Sequence, residues 1–403
     1  MNILIAALSL LLFAGSVTNY DESKVGSYTL PDPLIFNNGQ PVRTAADWND
    51  RRRGEIVRLF EDHVYGHSPR PPAHILYRVF ETDPHALGGR AIRKQVTIRL
   101  SANKDGPKED LLLYMPAGAT KPCPLILSLN FGGNHTVIDD PGIRLPMVWD
   151  TRTHEQHLAT EQSRGSSTDL QVEEVLARGY GFATIYYQDI EPDFKGGTGL
   201  RESFPTADWG AIGAWAYGLS RAMDYLEKDP AVDAKRVAVM GHSRLGKTAL
   251  WAAAQDRRFA LAIANCPGEG GASLSRRNYG ETIANLVDVF PYWFTGRYAE
   301  YADGVDKLPV DAHELIALIA PRPVYITGAE DDQWADPKGE FLACVAAGPV
   351  YRLLGAQDLG TDQMPALNHP IQHTIAFHYR TGKHEVTAYD WDQFLTFAVA
   401  HLR

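Results

Sequence analysis

Residues 237–248 read Val-Ala-Val-Met-Gly-His-Ser-Arg-Leu-Gly-Lys-Thr, and they restrict the fold more than any other stretch of the chain. Val237–Met240 is a short apolar run rich in β-branched residues, the kind that forms a buried strand. Gly241 permits a sharp turn, and Leu245, Ala249, Leu250 and Ala253 then recur at helical spacing. A serine on such a strand-to-helix turn has its hydroxyl lifted above the sheet edge. The helix N-terminus behind it offers N–H groups and a partial positive charge to an oxyanion. An ordinary turn serine capping a helix would share this local sequence, so the chemistry depends on partners elsewhere.

The surrounding pattern fits a strand in a larger sheet. Leu125–Leu129, Gly181–Tyr186, Arg236–Met240, Leu261–Ala264 and Val324–Thr327 are short apolar runs, with helical patterns between them at Trp209–Lys228 and Thr248–Asp256. This alternation predicts an α/β fold: a three-layer sandwich with a mostly parallel central sheet and helices on both faces. Ahead of it, Val96, Ile98 and Leu100 alternate with polar residues and, with Asp110–Met115, predict N-terminal antiparallel strands. Ala45–Gly66 predicts a helix with Ile56, Leu59, Phe60 and Val64 on one face. Ile371–Tyr379 also reads as helical, and another helix is expected over Asp390–Leu402. No repeat or low-complexity linker interrupts residues 20–403, which are expected to form a single domain.

Lys and Arg number 39 against 49 Asp and Glu, a net charge of −10, and no long basic run occurs. That argues against a nucleic-acid or anionic-membrane partner. Ile3–Ala14 is almost unbroken apolar sequence followed by Gly15 and Ser16, although Met1-Asn2 brings no Lys or Arg. The run is short for a membrane span and resembles an export signal over residues 1–19, so a secreted or periplasmic protein without stable membrane association is expected. Three cysteines give no disulfide framework, and Cys123 and Cys344 lie in apolar runs of core type. His369, His373 and His378 cluster in sequence but lack a carboxylate or cysteine grouping, so no metal is expected.

A serine nucleophile needs a base and a group to orient it. In α/β-hydrolases the chain order is serine, acid, histidine. His384 lies in a polar loop just before the last helical pattern, where such a histidine belongs, and His369, His373 and His378 are its rivals. The acid belongs after a late strand. Val324–Thr327 is followed by Glu330, Asp331, Asp332 and Asp336. Asp336-Pro337 reads as a helix N-cap with proline at the first helical position, which leaves Glu330, Asp331 and Asp332.

At this point the residues carry a resemblance. Gly241-His-Ser-Arg-Leu-Gly-Lys247 resembles the G-x-S-R-x-G-K signature of glucuronoyl esterases, carbohydrate esterase family 15, of bacterial type. Gly270–Thr282, Asp332–Pro337, Tyr379–His384 and the stretch from about Asp32 to Pro71 resemble further family segments. The resemblance implies an α/β-hydrolase fold and a serine esterase acting on esters of 4-O-methyl-glucuronic acid on xylan, including lignin–carbohydrate ester links, with no cofactor. It implies Ser243 as nucleophile, His384 as base, Arg244 on the oxyanion, and Lys247, Glu281 and Trp334 on the sugar. Lys247 could instead be a first-turn helix charge, and Glu281 could pair with Arg276 or Arg277.

One segment departs. The family pattern N-E-S-G-x-G-G is replaced by Asn265-Cys-Pro-Gly-Glu-Gly-Gly271, so Cys266 stands at a glutamate position. Cysteine cannot orient an imidazole as a carboxylate does. Other members carry the acid after the later strand, which favours Asp332, with Glu269 as the alternative. An acetyl-xylan or other carbohydrate esterase, and a non-catalytic carbohydrate-binding relative, are the competing readings.

Overall fold

The structure, a computed structural model, describes residues 18–103 and 105–402. The export segment expected over residues 1–19 lies outside the described residues except for its last two. Among the described residues no helix is long and apolar enough to cross a membrane.

The described strands are β1 (Tyr77–His85), β2 (Ala91–Arg99), β3 (Lys108–Pro116), β4 (Cys123–Asn130), β5 (Met147–Asp150), β6 (Glu155–Leu158), β7 (Gly181–Tyr186), β8 (Val232–His242), β9 (Leu261–Asn265), β10 (Val324–Ala329), β11 (Ile371–Gln372) and β12 (Ile375–Arg380), and β4, β7, β8, β9 and β10 coincide with the apolar runs. Ten form one sheet in the order β1-β2-β3-β7-β4-β8-β9-β10-β12-β11, while β5 and β6 make a separate hairpin. From β7 to β12 every pairing is parallel. The expected N-terminal strands pair antiparallel, as does β11 at the far edge.

Alternation along the strands divides the core. Leu111, Leu113, Leu125, Leu127, Val237 and Val239 face one side and pack with residues of the helices Ala211–Leu226, Arg244–Gln255 and Pro337–Leu353. Leu112, Tyr114, Ile126, Ala238 and Met240 face the other, where Val175, Trp391 and Phe394 belong to the helices Val172–Ala177 and Ala388–His401. Both faces of the parallel strands are therefore buried, the condition under which they read as continuous apolar runs.

One expected element is corrected. Ile371–Tyr379 is not helical but supplies β11 and most of β12. β12 pairs with β10 from Val324↔Ile375 to Ala329↔Arg380. Ile375, Ala376, Phe377 and His378 are all buried. With both faces covered, the period-two alternation that marks a strand is missing. The Ala45–Gly66 helix is present as Ala45–Tyr65, with two π-helical stretches at Trp48–Arg52 and Glu61–Tyr65.

Candidate active site

The carboxyl ends of the parallel strands gather the chemistry, as open α/β sheets favour. Asp193 follows β7, Ser243 follows β8, Cys266 follows β9, Asp332 follows β10 and His384 follows β12.

Ser243 adopts φ 56° and ψ −128°, a left-handed conformation uncommon for a residue with a Cβ. The turn is tight enough that a Cβ on Gly241 would meet Leu245 O at 1.9 Å. Ser243 N–H donates to Asn265 O at 2.9 Å, and Ser243 O accepts from the N–H groups of Gly246 and Lys247. The hydroxyl makes no capping bond to the helix it precedes, so it is not occupied as an ordinary cap.

His384 Nδ1 lies 2.6 Å from Asp332 Oδ2. Asp332 is buried, whereas His384 reaches solvent. The two loops are clamped together: Glu330 N–H donates to Arg380 O and Asp331 N–H to Gly382 O. The Glu330 and Asp331 side chains are exposed, in contrast to the buried Asp332. Asp336 caps its helix as expected, accepting from Gly339 N–H at 3.0 Å, and also pairs with Arg277. Glu269 does not reach His384. Its Oε1 accepts from the Ser275 and Tyr298 hydroxyls, and burial pushes its carboxyl up to about 8. Of the rival histidines, His378 is buried against Asp390 at 2.7 Å, while His369 and His373 are exposed.

The His384 ring centroid is 4.5 Å from that of His242, the residue before Ser243. His242 Nδ1 faces Asn265 Oδ1 at 2.7 Å, and Asn265 Nδ2 donates to Thr327 Oγ1, so His242 carries its proton on Nδ1. Burial, then the neighbouring His384, lowers the His242 imidazole to about 4. His242 thus stays neutral beside the His384 imidazole.

Arg244 Nη1 donates to Asp193 Oδ2 at 2.5 Å, and its guanidinium lies over the Trp293 ring at 4.7 Å. Asp193 also accepts from Tyr187 OH, Tyr292 OH and Trp293 Nε1. Burial works against the Arg244 charge, but the Asp193 carboxylate outweighs it and raises the guanidinium above its usual range. Arg244 Nε is buried with no partner. Sequence reasoning missed Asp193 and His242. Adjacency to Ser243 is the one local signal for His242, and no local signal singles out Asp193.

Lys247, Glu281 and Trp334 do come together. Lys247 Nζ donates to Pro267 O at 2.7 Å and to Glu281 Oε2 at 3.4 Å. Glu281 N–H donates to Trp334 O, and the Trp334 side chain is exposed. Arg276 pairs with Asp311 and Arg277 with Asp336, so neither takes Glu281. The sequence reading expected no metal-type grouping. The fold nevertheless brings Cys266, Asp332 and His384 together, their ligand atoms all within 4.8 Å of one another. Spacing cannot reveal donors delivered by three separate strand ends.

A mostly parallel sheet with a serine elbow after β8 and a histidine loop after its last parallel strand is the α/β-hydrolase architecture. The model of "Glucuronyl esterase, fungi" matches residues 202–355. Carbohydrate esterase MZ0003, from an unknown prokaryotic organism, is 49% identical over 399 residues, covering 95% of this chain and 92% of that one. A 4-O-methyl-glucuronoyl methylesterase of Schizophyllum commune is 28% identical, covering 92% and 86%. The solved glucuronoyl esterase of Solibacter usitatus superposes with a TM-score of 0.91 at 51% identity, covering 94% of this chain and 99% of that one. The chain therefore belongs to the glucuronoyl esterases, carbohydrate esterase family 15. It is a carboxylic ester hydrolase.

Proposed function

We propose that this enzyme hydrolyses esters of glucuronic acid, in particular 4-O-methyl-glucuronate esters on xylan and their links to lignin alcohols, by two-step acyl transfer. The reading is carried by one observation: the hydrogen-bonded His384–Asp332 pair sits at the Ser243 elbow, beside a buried Lys247–Glu281 pair and an exposed tryptophan.

His384 takes the Ser243 proton as Oγ attacks the uronoyl carbonyl. Asp332 holds the imidazole in the tautomer that can accept it and stabilises the imidazolium. The unpartnered Arg244 Nε and the N–H groups of the elbow helix offer donors to the oxyanion, where one strong donor contributes about 3–4 kcal/mol. The alcohol leaves, and water releases the acyl group by the reverse proton path. A uronate ester is neutral at its carboxyl, so recognition falls to ring hydroxyls. Lys247 donates to them, Glu281 accepts, and Trp334 gives a flat apolar face. The apolar Ile3–Ala14 run supports export of a single catalytic domain.

The test is turnover of a benzyl glucuronate ester beside a simple acetate ester. Ser243→Ala, His384→Ala and Asp332→Asn should each lose several orders of magnitude, about 10⁴ for the amide. Trp334→Ala and Glu281→Ala should lose far more on the glucuronate than on the acetate. Near-normal turnover in folded Ser243→Ala, or equal losses on both esters, would sink the corresponding assignment.

A further inference from the structure

Cys266 has no part in the acyl transfer, yet the fold seats it among groups that do. It follows β9 directly, at φ 44°, and its N–H is fixed to Thr327 O at 3.0 Å. Two residues on, Gly268 N–H donates to Glu340 Oε1 at 2.9 Å, which ties the loop to the helix Pro337–Leu353. The thiol is buried, but the His384 side chain beside it is 40% exposed, so the cluster opens to solvent on one side.

We propose that Cys266, Asp332 and His384 form a three-ligand zinc site whose occupation switches the esterase off. Thiolate, imidazole and carboxylate are all accepted zinc donors, and three protein ligands leave the fourth position to water. Tetrahedral zinc holds its donors roughly 3.5 Å apart. Donor atoms already within 4.8 Å of one another close to that separation by small side-chain rotations. The clamped loops and the Glu340 tether supply the rigid support such ligands need.

Inhibition follows from the proton count. An ion between Asp332 and His384 takes Nδ1, the nitrogen that faces the carboxylate. The Nδ1 proton moves to Nε2, and the Cys266 thiol releases one proton to solvent as the Zn–S bond forms. No oxidant or reductant is needed. An imidazole protonated on Nε2 cannot accept the Ser243 proton. This consequence rests on His384 being the base, whereas binding itself does not.

Two measurements on the full chain separate these claims. Zinc chloride should inhibit hydrolysis of a glucuronate ester, and EDTA should restore it. Cys266→Ala and Cys266→Ser, with unchanged turnover in EDTA, should need at least about tenfold more zinc for the same inhibition. Cadmium chloride, read by the thiolate charge-transfer band, should saturate at one equivalent in the parent and give no band in either variant, although Cys123 and Cys344 remain. A parent without the band, or variants as zinc-sensitive as the parent, would overturn the proposal. A one-equivalent band with uninhibited turnover would keep the ion site and remove the switch.

Discussion

Asp193 receives four donors, from Arg244, Tyr187, Tyr292 and Trp293, and its side chain is buried. Such a carboxylate fixes the Arg244 guanidinium in one place before any negative charge develops. Asp193→Asn keeps the shape but loses the charge and turns an N–H₂ toward other donors. If Arg244 serves the oxyanion, kcat should fall by about 10²–10³, the cost of one lost oxyanion donor, with KM little changed. A raised KM at normal kcat would mean that the cage serves substrate binding. The same residue shows where sequence reading stops. Ser243 and His384 stood out as candidates because one follows a recognisable strand and the other precedes a recognisable helix, whereas the strand pattern left Glu330, Asp331 and Asp332 open and the family resemblance helped favour Asp332. Asp193 was not legible, because Trp293 stands 100 positions away and Tyr292 99. Cys266 was legible as a departure from a pattern, but its closeness to His384 and Asp332 was not.

The strand–turn–helix element around Ser243 depends on how closely β8 meets the helix Arg244–Gln255. A methyl group on Gly241 would stand 1.9 Å from Leu245 O, and that atom is backbone, so nothing flexible can yield. Gly246 is roomier, its Cβ position lying 3.2 Å from Gly241 O. Gly241→Ala should therefore abolish activity and lower the melting temperature, whereas Gly246→Ala should be the milder change. Thermal unfolding and ester turnover of both variants check this, and a fully active Gly241→Ala would show that the elbow can relax. At this scale the chain was largely readable. β7, β9 and the core of β8 stand where their apolar runs lie, and the helix Ala211–Leu226 falls inside its predicted span. β12 was misread because burial on both sides erased its alternation. The β5–β6 hairpin went unread because the apolar run Met147–Trp149 is only three residues long and Glu155–Leu158 is exposed and mostly polar.

At three separate places in the molecule burial favours the neutral form of a carboxyl. Glu269, Glu314 and Asp189 are each raised to about 8, first of all by burial. For Glu269 the sign is set by comparison with an unfolded value near 4.5. The folded state holds the proton longer, so its stabilising contribution is complete below about 4.5 and is lost as pH rises through about 8. Within that window the slope approaches about 1.4 kcal/mol per pH unit for one proton. Glu269→Gln cannot titrate, so its stability relative to the parent should improve steadily from pH 5 to pH 8. Urea midpoints across that range check this, and parallel curves for the two proteins would rule it out. The variant should keep most of its turnover, since Glu269 is held by Ser275 and Tyr298 and not by His384. The sheet order carries a last consequence. Arg244 is held from beyond β7, the serine from β8 and the imidazole from β12, with β4, β9 and β10 between them. The groups that would break the ester hang from different rafters of one roof. A half-assembled chain is consequently expected to be inert, so that during refolding ester cleavage should appear only as the last beam goes in.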